Sequence, residues 1–271
     1  MVELASDPAR AIQGRETVYT LSVRNAQGQQ VARAKVTLMG RMPDGMTVLV
    51  PLREISQAGL HSGRVLFTMY FQGCTVSGRS NIPPAKEGPY ILALNHASII
   101  DPPLVWAFFP DPVYFLTKQE LHDMPVFGWM CDRVGNIPVR RRAFDLRAIR
   151  TAMKYLTDYK RNLAIFIEGS RSEDGELTEA KLGCALLAAR TGRKVLPAFI
   201  HGSHDVLPKG KIVPRFNKRL SLHVGEPLDF GPAQERPERE LLEKATQSVV
   251  DAIAKLDPAR PRAAFPEGGS V

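Results

Sequence analysis

The chain has 271 residues, of which 44% are hydrophobic and 24% charged, a composition typical of globular proteins that excludes a disordered or fibrous chain. This length allows one full domain with a small second one, or two modest domains, and excludes a large multidomain assembly. The formal net charge of +8 favours anionic partners, such as nucleic acid, phosphorylated metabolites or an anionic membrane surface.

The first 63 residues have the pattern of strands and turns. Apolar runs at 18–23, 31–38 and 46–52 are separated by glycine-containing turns, with no helical period. They predict a small all-β region over residues 1–63, faintly similar to immunoglobulin-like modules. The alternative, a metal or partner site on Met39, Met42 and Met46, is disfavoured because methionines usually fill cores.

Cysteine content and hydropathy bear on compartment and membrane contact. The three cysteines are widely spaced and odd in number, which predicts neither a disulfide framework nor a zinc cluster and favours a reducing compartment. Residues 1–15 lack the apolar run of a secretion signal. No stretch has the ~20 apolar residues of a membrane-spanning helix. We therefore expect a cytoplasmic protein that meets the membrane only peripherally.

From residue 64 to 259, predicted strands and helices alternate. Short apolar runs predict strands, covered on both faces, at 90–94, 163–167, 195–200 and 219–224. Amphipathic patterns predict helices over 146–156, 182–189 and 237–256, the second of them capped by Gly192. The alternation predicts a three-layer α/β domain over residues 64–259, with a mixed, largely parallel sheet and flanking helices. Residues 260–271 are expected to form a loose tail.

Two polar motifs follow predicted strands at their carboxyl ends, where α/β proteins usually place their sites. The first contains His96 and Asp101. A histidine accepts a hydroxyl proton near neutral pH if a carboxylate fixes its tautomer. By itself this motif is explained as well by a helix N-cap aspartate, followed by two prolines, beside a structural histidine.

The second motif is Glu168-Gly-Ser-Arg-Ser172. Gly169 permits a tight turn, Ser170 adds a hydroxyl, and Arg171 offers a forked donor for phosphate or carboxylate. Arg171 alone is equally compatible with a surface salt bridge. The turn and the guanidinium together predict an anion-binding loop.

Together the two motifs resemble those of the glycerolipid acyltransferases, in particular the 1-acyl-glycerol-3-phosphate (lysophosphatidate) acyltransferases. Two further blocks, at residues 135–141 and 195–200, follow in the family's order, and Lys181 lies in a Gly-Lys-x-Gly element whose first glycine is Ala180 here. Ile167 and Ser170 replace the usual proline and threonine. Arg140 stands where an acidic residue is common, which makes the role of Arg141 less secure than that of Arg171.

The resemblance implies transfer of a fatty acyl group from acyl-CoA or acyl carrier protein to the hydroxyl of a lysophospholipid, giving phosphatidic acid. It implies His96 as general base, with Asp101 holding its ring as in a hydrolytic triad. The absence of Gly-x-Ser-x-Gly favours direct transfer without an acyl-enzyme. No cofactor and no metal are expected, since His201 and His204 lack a third ligand nearby.

The resemblance also assigns substrate-binding roles. Arg171 is expected to bind the acceptor's phosphate, with Arg141 and Lys181 in support, and Glu168 to orient a basic side chain or bind an acceptor hydroxyl. The backbone N–H groups around Gly169 or Asn95 are candidates for stabilising the developing oxyanion.

Lipid substrates imply contact with an anionic membrane surface, at its inner face. We expect this contact from an aromatic-rich segment, from the apolar run 64–71 and from basic residues further on, with core packing and solubility as the alternative. The aromatic residues are Trp106, Phe108, Phe109, Tyr114 and Phe115, and the basic residues are Lys209, Lys211, Arg215, Lys218 and Arg219.

Other functions stay open at this point. The acceptor could be glycerol 3-phosphate or an aminoacyl lipid, and a non-catalytic lipid-phosphate binder could share the motifs. Nucleic-acid binding is disfavoured because no known nucleic-acid motif occurs.

Overall fold

The computed structural model describes residues 2–6, 16–24, 30–39 and 74–259, apart from positions 126, 127, 129, 130, 133, 141–144, 212, 216 and 217. In the first three ranges it describes the backbone. The chain divides into two compact units, Met1–Ala58 with Glu120–Asn136, and Gly59–Gln119 with Ile137–Val271. Four predicted features lie outside the described residues. They are the domain boundary at residue 63, the apolar run 64–71, the tail after residue 259, and the positions of Met42 and Met46.

The first unit contains a three-stranded antiparallel sheet formed by β1 (Val2–Ser6), β2 (Glu16–Arg24) and β3 (Gln30–Met39). The central strand is β2, which pairs with both neighbours. An immunoglobulin-like arrangement of this region stays a prediction.

The second unit is built on a seven-stranded sheet. Its strands are β4 (Cys74–Ser77), β5 (Ile91–Leu94), β6 (Val113–Lys118), β7 (Ile137–Val139), β8 (Asn162–Phe166), β9 (Val195–His201) and β10 (Leu220–Val224). The spatial order is β4-β10-β9-β5-β8-β6-β7. Five of the six neighbouring pairs are parallel, and β9 with β10 is antiparallel. The predicted mixed, largely parallel sheet is thus confirmed.

Within the described ranges, the helices with complete bounds are α1 (Asp101–Phe108), α2 (Gln119–His122), α3 (Leu146–Thr157), α4 (Gly183–Thr191), α5 (Ser203–Val206) and α6 (Arg239–Ala254), with 3-10 turns at Arg79–Asn81 and Ala85–Glu87. Gly192 ends α4 in the left-handed region, with φ 61°, as predicted. Among the described residues, no helix combines the length and apolar character needed to cross a bilayer.

The central strand of the sheet is β5, and all four of its residues are completely buried. It lies between β8 and β9 and is parallel to both. Such a strand is covered on both faces, which explains its uninterrupted apolar sequence. Because β5 and β8 are parallel neighbours, the loops that leave their carboxyl ends are adjacent.

The first apolar residue of the predicted helix over 146–156 does not belong to the buried face of α3. Leu146 is 53% exposed, whereas Ala148, Ala152, Tyr155 and Leu156 are buried. The helix contacts α4 and the strands β7 and β8. Burial on α3 therefore follows these neighbours and not side-chain apolarity alone.

The predicted membrane role of the aromatic-rich segment is wrong for four of its five aromatic residues. Phe108, Phe109, Tyr114 and Phe115 are each at most 7% exposed. They belong to the end of α1, the residue after it and β6, a strand that the sequence did not predict. Core packing explains this cluster of rings.

Candidate active site

His96 and Asp101 are brought together just beyond β5. The His96 Nδ1 lies 2.9 Å from the Asp101 Oδ2, and Asp101 is fully buried. An ionised carboxylate can only accept hydrogen bonds, so in a neutral imidazole Nδ1 carries the proton and Nε2 keeps its lone pair. The pair therefore has the tautomer that a general base needs.

The Asp101 carboxylate also organises the loop before it. Oδ2 accepts hydrogen bonds from the backbone N–H groups of Ala97 and Ser98, each at 2.8 Å. The N-cap residue of α1 is Ile100, and Asp101 is the first residue of the helix itself. The predicted N-cap aspartate is therefore wrong, because this carboxylate turns back to the loop that carries His96.

Glu168 holds the same loop from the neighbouring strand. Its Oε1 accepts the backbone N–H of His96 at 2.8 Å, and its Oε2 accepts the backbone N–H and the hydroxyl of Thr178 at 3.1 and 2.6 Å. The backbone N–H of Ser172 donates to the His96 carbonyl at 2.8 Å. Glu168 is buried, and these contacts replace the basic partner expected from the sequence. Its role here is to fix the backbone of His96.

Asn95 ties the loop to β9 on the other side of β5. Its side-chain amide donates to the Ile200 carbonyl at 3.0 Å and accepts the Ile200 N–H at 2.7 Å. The side chain is buried and both of its polar atoms are hydrogen-bonded, so it joins the loop to β9. The oxyanion role of the residue 95 backbone stays a prediction.

An aromatic contact that the two motifs do not predict lies beside the imidazole. The rings of His96 and Phe166 are stacked, with centroids 4.0 Å apart. Phe166 is the last residue of β8, two positions before Glu168. An aromatic residue at the end of the strand that precedes the second motif is the signal that could have found it.

Arg171 is a half-buried residue next to Ser172. Within the part of the chain that the structure describes, its guanidinium has no ion-pair partner. Its carbonyl accepts a hydrogen bond from the Lys209 Nζ at 3.2 Å, and Lys209 also pairs with Glu173. Since Ser172 bonds to His96, Arg171 is held in the loop adjoining the base, with its charge free for an anionic ligand.

Two other predicted substrate-binding residues, Ser170 and Lys181, lie beside a turn at Gly169. This glycine has φ 70°, a left-handed conformation that favours glycine. Its own N–H donates to the Phe166 carbonyl at 3.1 Å and is used within the turn. The oxyanion role of the N–H groups around Gly169 stays a prediction. Ser170 and Lys181 are exposed beside the turn. Arg141 lies outside the described residues.

Comparison with known proteins places this geometry in a family. The family model described as Acyltransferase matches residues 73–201, which include both polar motifs. This segment is an acyltransferase-family domain, and the resemblance to glycerolipid acyltransferases is confirmed.

Solved and curated relatives agree with this assignment. The 1-acyl-sn-glycerophosphate (LPA) acyltransferase PlsC from Thermotoga maritima superposes with a TM-score of 0.60 at 27% identity, covering 78% of this chain and 81% of that one. A 1-acyl-sn-glycerol-3-phosphate acyltransferase of Borreliella burgdorferi is 30% identical over 55% of this chain and 58% of its own length. A chloroplastic 1-acyl-sn-glycerol-3-phosphate acyltransferase, LPAT1, of Arabidopsis thaliana is 28% identical over 56% of this chain, which spans only 43% of that relative.

Proposed function

We propose that this protein transfers a fatty acyl group from an acyl thioester to the free hydroxyl of 1-acyl-glycerol 3-phosphate, giving phosphatidic acid. The observation that carries the proposal is the buried His96–Asp101 pair at 2.9 Å, in a domain whose relatives bear the names of lysophosphatidate acyltransferases. Acyl-CoA and acyl carrier protein are both candidate donors.

In the proposed reaction, His96 Nε2 accepts the proton of the acceptor hydroxyl as its oxygen attacks the thioester carbonyl. The Asp101 carboxylate stabilises the imidazolium that forms. Collapse of the tetrahedral intermediate forms the ester bond and breaks the carbon–sulfur bond. The imidazolium then returns its proton to the departing thiolate, so that the enzyme ends in its starting state.

Arg171 supports binding of the acceptor's phosphate, because its guanidinium is free of protein anions among the described residues and its loop is bonded to His96. A forked guanidinium suits phosphate oxygens. Lys181 and Arg141 are proposed as additional cations, and Ser170 as a hydroxyl donor. The bound phosphate would fix the position of the hydroxyl relative to the base.

An aminoacyl lipid is a second candidate acceptor, favoured by a cavity beside the catalytic loop. The cavity is lined by Ala97, by two histidines, His201 and His204, and by four acidic residues, Asp174, Glu176, Asp205 and Asp257, among others. Such a lining suits an ammonium group better than a phosphate. A relative named lyso-ornithine lipid O-acyltransferase, from Pseudomonas aeruginosa, is 28% identical over 62% of this chain and 69% of its own length.

The test is product analysis with purified protein and its His96→Ala variant. The donor is acyl-CoA in one set of reactions and acylated acyl carrier protein in the other, each with a labelled acyl group. Each donor is combined with lysophosphatidate, glycerol 3-phosphate or a lyso-aminoacyl lipid. We expect labelled phosphatidic acid from the wild type and a loss of about 100-fold or more in the variant. Preferential acylation of another acceptor would replace the proposed substrate. Equal turnover by both proteins would remove His96 from the mechanism, and no turnover at all would favour a lipid-phosphate binder.

A further inference from the structure

We propose that a basic and apolar surface beside the catalytic loop docks this protein onto anionic lipid bilayers. The docking surface consists of Ile99, Lys211, Val213, Arg215, Lys218 and Arg219. The proposal rests on the proposed function in one respect, because an enzyme whose acceptor is a lipid has to reach that acceptor in a bilayer. The binding itself is tested without turnover.

Two apolar side chains on this surface are exposed to water. Among the described residues only four large hydrophobic side chains are exposed, and Val213 at 71% is the most exposed of them. Ile99, at 45%, lies in the loop between His96 and Asp101. Exposed apolar side chains of this kind gain free energy when they enter the interfacial region of a bilayer.

Hydrogen bonds connect the segment of Val213 to the catalytic loop. The Ser98 hydroxyl donates to the Leu207 carbonyl at 2.6 Å, directly beside Ile99. The Arg215 N–H donates to the Val206 carbonyl at 2.7 Å, so the chain between these residues folds back on itself as a loop. His96 and this loop follow the carboxyl ends of β5 and β9, which are parallel neighbours, so both lie at the same edge of the sheet.

The charge of the loop complements an anionic surface. Between Leu207 and Leu220 the sequence holds five Lys or Arg residues and no Asp or Glu. One of the five, Lys209, is paired with Glu173. The other four are Lys211, Arg215, Lys218 and Arg219. All four are exposed, and none has an ion-pair partner among the residues described. Each basic residue near an anionic membrane strengthens binding by about fivefold.

A lipid bilayer is favoured over nucleic acid because cations and an apolar side chain alternate along the loop. Val213 lies between Lys211 and Arg215, so insertion of its side chain would bring both cations to the level of the headgroups. A phosphate backbone would use the cations and leave Val213 in water. The contribution of Val213 therefore distinguishes the two partners.

The experiment is co-sedimentation of the full chain with vesicles of phosphatidylcholine alone or mixed equally with phosphatidylglycerol. The Lys211→Gln/Arg215→Gln double variant should bind the mixed vesicles roughly 25-fold more weakly, and Val213→Ser roughly tenfold more weakly. Lys244→Gln and Leu146→Ser are the matched controls, because these residues are 76% and 53% exposed on other helices. Both controls should bind like the wild type.

Equal binding by the wild type and the two docking variants would overturn the proposal. So would equal binding to both kinds of vesicle. Tight binding of duplex DNA that depends on Lys211 and Arg215 but not on Val213, without vesicle binding, would assign the loop to nucleic acid. With monomeric short-chain lysophosphatidate and no vesicles, the docking variants should keep wild-type turnover. An inactive wild type that still binds vesicles would contradict the proposed reaction and leave the docking surface intact.

Discussion

The imidazole of His96 and the ring of Phe166 lie nearly parallel, with an interplanar angle of 17° and centroids 4.0 Å apart. Phe166 is stacked in turn on Phe115, a buried residue of β6, with centroids 5.5 Å apart. The proposed base therefore lies at the end of a column of rings that begins in the core. Asp101 holds the edge of the imidazole, and Phe166 covers one of its faces.

Replacing Phe166 with Leu should lower kcat about tenfold, because stacking worth roughly 0.5–1.5 kcal/mol no longer fixes the plane of the imidazole. The control is Phe109→Leu, which removes the same atoms from a core ring that is 1% exposed. Phe109→Leu should lose at least as much thermal stability, because Phe166 is only partly buried, and only Phe166→Leu should lose activity in steady-state assays. Equal loss of activity in the two would reduce the role of Phe166 to general packing.

The variant Asp101→Asn separates charge from shape. Oδ2 receives all the hydrogen bonds, while Oδ1 is buried with no partner among the described residues, so the amide NH2 group can take the place of Oδ1. The unfolding free energy should fall by about 1–3 kcal/mol, because the NH2 group has no hydrogen-bond partner at that buried position. The rate should fall about 100-fold or more, because no negative charge stabilises the imidazolium.

The matched control for that variant is Asp145→Asn, at the N-cap of α3, where asparagine caps as well as aspartate. Its activity should equal that of the wild type, and its unfolding free energy should fall by no more than about 1 kcal/mol. Full activity in Asp101→Asn would show that the carboxylate charge plays no part in the rate-limiting step.

Glu168→Gln should damage both stability and activity. The two carboxylate oxygens accept from three donors, and a glutamine must turn its NH2 group toward one of them. We expect the unfolding free energy to fall by about 1–3 kcal/mol in urea titrations. Glu87→Gln, at a half-exposed ion pair with Lys194, should cost no more than about 1 kcal/mol. A stable, fully active Glu168→Gln protein would contradict the positioning role.

The stability contributed by Asp145 should depend on pH. Hydrogen bonds from the backbone N–H groups of Arg140, Ala148 and Arg147 hold the pKa of this carboxyl below its usual range. A group whose pKa is lowered in the folded state stabilises the protein above its unfolded pKa, and this contribution is lost as the pH falls through the folded pKa. Asp145→Ala should therefore cost about 1 kcal/mol at neutral pH and less at about pH 3, measured by urea unfolding. An equal cost at both pH values would contradict the assignment.

Thiol reagents should leave the folded enzyme active. Burial raises the pKa of Cys184 and of Cys74 to about 12, and burial also raises the pKa of Cys131. Thiols with raised pKa values are poor nucleophiles near pH 8. N-ethylmaleimide should label three cysteines after unfolding and essentially none before it, as counted by mass spectrometry. Inactivation that parallels labelling of one cysteine would reopen the possibility of an acyl-enzyme.

Strands buried on both faces could be predicted from the sequence, because their apolar runs are continuous, as in β5. The edge strand β4 and the short strand β7 could not, since four and three residues carry too little pattern. The aromatic residues of β6 were assigned to the membrane because burial in a core and contact with lipid demand the same side chains. Exposure, which distinguishes the two, is a property of the folded chain.

The sequence by itself determined the order of the two polar motifs, their positions after strands and the conformational freedom of Gly169. Each of these depends on residues that are close together in the chain. Only the tertiary structure decided what Glu168 does. Its bond to the His96 N–H joins residues far apart in sequence and exists because β5 and β8 are parallel neighbours in register. A carboxylate can satisfy a basic side chain, a substrate hydroxyl or a backbone amide equally well, and the pairing of strands determines which donor it meets.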